Sequence, residues 1–480
     1  MAFGKSCGVI LQSERIIFMI NDISKKAPEY TDSAVKLLSE LISFKSVMGA
    51  PEAGMPYGKD CAECLNYAAE VLAADGFKVR NFDNHAITAD FGEGKAELGI
   101  LCHLDVVPTE GQEWTGDPFK AEVRDGRVYG RGAIDDKGPA AAVITAMRMI
   151  RDSGIKLSKN FRLILGSNEE NGSEDMEYYT SKESFPPMLF TPDGSFPVIN
   201  IEKGMIRLGI TGEYTMGTKA LVSLVGGSVA NAVPERAMAV VMGFEKDDIE
   251  KLCGKYQPDG VIFDVEKSDN NTICIKSKGR GAHASTPEQG KNALTALIKL
   301  LSEMNFDGDI SHKLKAMARL YPYGDSEGKG IGVSCRDELS GGLTLVLSLA
   351  DCKNGKFSFM TDCRFPVCKT STDIISVMTE KLSEVGLSAN TALSSEPHHA
   401  DENSDMIKTL LSVYTDCTGR EGKCIAIGGG TYVHDTKNGV AFGAEWSDEN
   451  NMHGADEFIG IDELTRDIEI YCEAILRLCL

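Results

Sequence analysis

The sequence predicts an α/β protein: a mostly parallel sheet with helices on both faces, interrupted by an inserted α+β lid domain. Three observations lead there. Short apolar runs bounded by turn residues alternate with segments of helical periodicity up to about residue 201, as strand–helix–strand units do. From about Glu202 the texture changes to paired strand-like segments with few helices between them, and after Pro397 the first pattern resumes. At 480 residues the chain also exceeds the size at which one hydrophobic core keeps growing. The expected division is a first domain over 1–201, the lid over 202–396, and the rest of the first domain over 397–480.

Taken in order, apolar residues at helical spacing place helices over 33–44 and 62–74, and the runs 86–91 and 98–107 read as strands. A helix follows Gly138-Pro139 as far as residue 149. The apolar runs 161–166 and 188–191 read as buried strands. Within the lid, 205–211, 221–224, 237–243 and 272–278 have strand texture. Beyond Pro397 come a helix over 404–414, strands over 423–427 and 440–443, and a last helix with Ile461, Leu464, Ile468, Tyr471, Ile475 and Cys479 on one side.

A formal charge of −21 argues against nucleic acid and anionic membrane as partners, since both demand concentrated Lys and Arg. The fourteen cysteines are irregularly spaced, and Cys102, Cys274 and Cys472 sit inside apolar patterns, so buried reduced thiols are expected. Cys61 and Cys64 form one CxxC on a helical segment with no second pair nearby, which reads as structural. The apolar stretch 8–20 is broken by Glu14 and Arg15 and is too short to span a bilayer. These features predict a cytoplasmic protein in which 1–18 is a dispensable extension.

Three acidic and histidine clusters fall at the ends of expected strands, where open α/β sheets place their sites. His103-Leu104-Asp105 ends the run from 98; extended geometry sends both side chains to one side, so His103 can ligate a metal while Asp105 accepts its other N–H. In GRGAIDDKGPAA (130–141), Asp135 and Asp136 repel each other unless a positive charge lies beside them. A cation is the economical reading, with a helix-capping Asp136 the alternative. Ser167-Asn168-Glu169-Glu170-Asn171-Gly172 again pairs carboxylates after a strand, one for a metal and one for protons.

Together with EWTGDPF (113–119), TPDGSFPVINIEKG (191–204), GRGAHASTPEQGKNA (279–293), CRFP (363–366), IGGGTY (427–432) and MHGADE (452–457), these clusters resemble a metallopeptidase family. It includes dipeptidase V, carnosinases, aminoacylases, desuccinylases and glutamate carboxypeptidases. The resemblance covers nearly the whole chain and points to the dipeptidase V type. It implies a zinc-peptidase-like catalytic domain and two divalent metal ions per chain, zinc first, with manganese or cobalt also suited to imidazole and carboxylate ligands. The resemblance assigns one metal to His103 and Asp193, the other to Glu170 and His453, and makes Asp135 the bridge. Glu169 is then general base and acid, Asp105 orients His103, and the Asp135–Asp136 peptide is cis.

By the same resemblance His283 is the oxyanion donor, delivered by the lid, while Arg364, Asn231 and Gly428, Gly429 and Gly430 receive the carboxylate of a small peptide. A lid large enough to supply His283 from the same chain implies a monomer. The expected reaction is hydrolysis of unblocked dipeptides, β-alanyl ones among them. N-acyl-amino-acid deacylase, carboxypeptidase and inactive metal-binding scaffold are the alternatives. Asp193 weighs against the acylated substrates, because desuccinylase and glutamate carboxypeptidase relatives tend to carry Glu there. His85, His312, His398, His399 and His434 fall outside the motifs and read as structural, although His434-Asp435 departs from the family's pattern just after the glycine run.

Overall fold

Strand residues that alternate between two apolar layers organise the first of two units in the computed structural model, which describes residues 18–268 and 271–480. This unit takes the described chain up to Asn200, His399–Ile425 and Gly430–Leu480. Leu98, Ile100 and Cys102 of strand Ala96–His103 and Leu163 and Leu165 of strand Asn160–Gly166 join one layer, whereas Leu101 and Ile164 join the other. Helices Ala27–Ile42, Lys137–Asp152, Asp405–Thr418 and Ile461–Cys479 complete the first layer with Leu38, Ala141, Ile407 and Ile468. Helix Glu174–Lys182 closes the second with Met176 and Tyr179. Thus the α/β class read from the sequence holds. Helix Ala27–Ile42 begins ahead of the periodicity because Pro28 stands in its first turn, where a missing N–H needs no partner.

The sheet order is Lys78–Phe82, Ala86–Phe91, Asn160–Gly166, Ala96–His103, Met188–Thr191, Val440–Ala441, Val198–Glu202, His398–His399, with Cys424–Ile427 also on Val198–Glu202. Pairing is parallel through the centre and antiparallel where Ala86–Phe91 and Val198–Glu202 join. Parallel neighbours end on the same edge. Register sets His103 opposite Gly166 and Ile100 opposite Phe190, so the segments following these three strands leave the sheet side by side.

The second unit comprises Ile201–His398 with Ala426–Gly429. Among the described residues its main sheet has eight antiparallel strands, in the order Ile262–Ser268, Thr272–Lys278, Arg236–Met242, Ala220–Gly226, Thr344–Lys353, Lys356–Phe365, Gly204–Glu213, Ser388–Ser395. Helices Ala293–Ser302, Ile310–Leu320 and Ser371–Ser383 contribute Leu297, Leu314 and Met378 to its core.

Every described cysteine is free, and only Cys368 among them is exposed. Cys61 and Cys64 are buried on helix Lys59–Ala74, where burial pushes the Cys61 thiol up to about 12. Among the described residues no helix is long and apolar enough to cross a membrane. The extension expected over 1–18 lies, Phe18 apart, outside the described residues.

Candidate metal centre

The strand ends gather two groups of side chains around one carboxylate. Asp135 Oδ1 lies 2.9 Å from His103 Nε2, and Asp135 Oδ2 lies 2.7 Å from His453 Nε2. Asp193 stands on the first histidine, 3.7 Å from Nε2, and Glu170 on the second, at 3.1 Å. The two groups, His103/Asp135/Asp193 and Asp135/Glu170/His453, each offer ligand atoms within 4.8 Å of one another. His103 is buried; the side chain of His453 is half exposed.

Like charges crowd here. Burial, followed by the charge of Asp135, pushes the Asp193 carboxyl up to about 8. Glu169 is held well above the usual carboxylate range by burial and then by Asp193, and Glu170 is raised by burial and Asp135. Burial works against the protonated form of His453, yet hydrogen bonds with Asp135 and Glu170 push it up to about 11. Asp135 is driven the other way: against burial, His103 and His453 hold it ionised. A buried carboxylate without countercharge costs several kcal/mol, so this donor set fits a divalent cation at each group. Imidazole nitrogen and carboxylate oxygen, with no thiolate, suit zinc, manganese or cobalt. A third cluster, Cys417, Glu469 and Glu473, is already neutralised by Lys25 on Glu469 and Arg477 on Glu473.

Buried carboxylates hold the ligand-bearing turns through backbone amides. Glu457, wholly buried, accepts from the N–H groups of Gly132 at 3.1 Å, Ile134 at 3.0 Å and Asp135 at 3.3 Å, and from Arg131 Nη1 at 2.6 Å. Arg131 Nη2 and Gln112 Nε2 donate to the carbonyl of His453 at 3.2 and 2.8 Å. They secure a residue whose φ of 59° lies in the left-handed region that a side chain disfavours. None of Gln112, Arg131 and Glu457 was singled out from the sequence. The last two lie inside quoted motifs, but an acceptor for backbone amides leaves no spacing signature, and Gln112 carries no signal at all.

Asp105 and Asp136 both serve backbone amides. The strand ends at His103, so extended alternation stops short of Asp105: His103 Nδ1 lies 3.0 Å from the Asp105 backbone oxygen and 3.4 Å from its carboxylate. The Asp105 carboxylate also accepts from Glu169 N and Glu170 N, both at 3.1 Å. Asp136 occupies the N-cap position of helix Lys137–Asp152 without a side-chain capping bond; its Oδ2 accepts from His103 N at 3.0 Å. The Asp135–Asp136 peptide is cis.

The remaining candidates lie mostly in the second unit. Asn231 O accepts from Ala284 N at 2.8 Å, beside His283. Ser285 donates its N–H to His283 Nδ1 at 3.2 Å, with Ser285 Oγ at 2.7 Å. Gly428 presses on Ser285: a Cβ built there would fall 2.6 Å from Ser285 Cβ. Arg364 is buried. Its Nε and Nη2 bind the two oxygens of Asp362 at 2.6 and 3.0 Å, and Nη1 donates to Gly428 O at 3.0 Å. Of its five N–H groups two remain. Asp362 was missed, although its place two residues before Arg364 on one strand puts both on the same face. Gly429 and Gly430 complete this segment, Gly430 falling in the first unit.

Paired histidine–carboxylate groups at the ends of parallel strands are the arrangement of a hydrolytic metallopeptidase. The chain belongs to peptidase family M20/M25/M40, whose sequence model matches residues 99–477. It is 34% identical over 459 residues to the Beta-Ala-Xaa dipeptidase of Lactobacillus delbrueckii subsp. lactis, covering 93% of this chain and 96% of that one. In fold it is similar to human carnosine dipeptidase 1, with a TM-score of 0.61 at 16% identity over 96% of this chain and 98% of that one. It is also similar to the dipeptidase Dug1p of Saccharomyces cerevisiae, with a TM-score of 0.60 at 14% identity over 95% and 98%.

Proposed function

We propose that this protein is a metal-dependent dipeptidase that hydrolyses the peptide bond of unblocked dipeptides, β-alanyl ones included. The observation that carries it is Asp135, one oxygen at each histidine, with Glu169, the chain neighbour of Glu170, in neither group. The name of the Lactobacillus relative supports the substrate class. His103, Asp135 and Asp193 would hold one divalent cation, and Asp135, Glu170 and His453 the other. Bound there, zinc, manganese or cobalt would polarise the scissile carbonyl and make water more acidic.

Glu169 takes the proton of the attacking water on its carboxylate and returns it to the departing amine. His283 supplies an N–H to the oxyanion: with Nδ1 accepting from Ser285 N, the neutral ring carries its proton on Nε2. The remaining N–H pair of Arg364, with Asn231 and the Gly428–Gly430 segment, receives the substrate's carboxylate, and that fixes the length of peptide accepted.

Metal-stripped protein reloaded with each cation is to be assayed on alanyl and β-alanyl dipeptides and on N-acetyl and N-succinyl amino acids. The unblocked dipeptides are expected to turn over faster; preference for the acylated compounds would overturn the assignment. His283→Ala is expected to lower kcat by about 10²–10³-fold with little change in KM. A loss confined to KM in steady-state kinetics would remove His283 from the oxyanion role.

A further inference from the structure

Asp175 lies outside both cation groups and is wholly buried on helix Glu174–Lys182. Its Oδ2 accepts from Ser167 N at 2.6 Å and Asn168 N at 2.9 Å, and from the hydroxyl of Tyr432; Oδ1 accepts from Met176 N at 2.7 Å. With Asp105 on the amides of Glu169 and Glu170, four consecutive N–H groups from 167 to 170 are therefore held by two buried carboxylates. That stretch carries Glu169 and Glu170.

Tyr432 connects this clamp to the other histidine group. Its ring meets that of His103 edge to face, with centroids 6.1 Å apart at 88°. The backbone is shaped for the phenol: a Cβ at residue 166 would lie 2.0 Å from the Tyr432 hydroxyl and 2.5 Å from Asp175 Oδ2, so the strand must end in glycine. Burial, then the charge of Asp105, push the Asp175 carboxyl up to about 6, and the hydrogen bonds from Tyr432, Ser167 and Met176 draw it back toward the ionised form.

We propose that Asp175 and Tyr432 are positioning residues of the metal centre, setting the 167–170 turn so that Glu170 meets its cation and Glu169 its proton. The inference rests on the metal-dependent reading and takes its test from cation binding, not from hydrolysis alone. Metal-stripped protein is titrated with zinc in a calorimeter, for the unsubstituted chain and for Tyr432→Phe and Asp175→Asn. Tyr432→Phe removes only the hydroxyl. It is expected to weaken one of two zinc sites by about 10–100-fold, to lower kcat by a similar factor with KM within about twofold, and to leave the melting temperature of the metal-stripped protein within about 4 °C. Asp175→Asn should weaken zinc at least as much. Unchanged zinc affinity in both variants would overturn the proposal, as would a loss matched by collapse of the melting temperature, which marks a merely structural pair. If the unsubstituted chain bound no zinc, manganese or cobalt, the metal reading itself would fall and this inference with it. Zinc binding without dipeptide hydrolysis would sink the dipeptidase reading and leave the positioning test intact.

Discussion

Replacing Glu169 with Gln is expected to lower kcat for dipeptide hydrolysis by about 10²–10⁴-fold while both cation groups keep their affinity. Glu169 belongs to neither group, and its main-chain N–H, unchanged by the substitution, still donates to Asp105. What disappears is a carboxyl that can take a proton and return it; an amide of the same shape does neither. Calorimetry with zinc on the variant should therefore reproduce the unsubstituted protein even as steady-state turnover collapses. Turnover within a few-fold of the unsubstituted chain would place the base elsewhere, and loss of a zinc site would make Glu169 a ligand.

Asp135→Asn should have the broader effect. One carboxylate oxygen stands at each histidine, so removing its charge weakens both groups together, whereas His453→Ala should weaken one. The expected loss at each group exceeds about 100-fold, the upper end for residues that merely orient a ligand, and hydrolysis should fall below detection. Zinc titration of the two variants side by side reads this directly. If Asp135→Asn lost one cation and kept the other at full affinity, Asp135 would not be shared.

The candidate residues were legible because each cluster is local. His103 closes an apolar run, Asp135 and Asp136 precede a helix with Gly138 and Pro139 in its first turn, and Glu169 and Glu170 follow another apolar run. Periodicity alone places such ends at a sheet edge. That the ends share one edge follows from parallel pairing at the centre, which the alternating pattern also implied. His453 was legible only through resemblance, since nothing local distinguishes a histidine in a glycine-containing loop.

What escaped the sequence is the set of groups that hold these residues still. Glu457 reaches back 322 positions to the amide of Asp135, and Tyr432 reaches 257 positions to Asp175. Glu457 and Asp175 take mainly main-chain N–H groups, which every stretch of chain can offer, so no residue type or spacing announces them. Asp105 shows the same limit at short range: its distance from His103 predicted one partner, and the carboxylate also takes the amides of Glu169 and Glu170, which no spacing announced.

By itself, then, the sequence determined the α/β class, the strand texture of the second unit and where carboxylates and imidazoles cluster, because periodicity and local motifs are short-range properties of the chain. Only the tertiary structure decided how Asp135 divides its two oxygens, that Arg364 already spends three N–H groups on Asp362 and Gly428, and that Asp105, Asp175 and Glu457 set the turns. Those are relations between distant segments, settled by where buried charge and buried amides find one another once water is excluded.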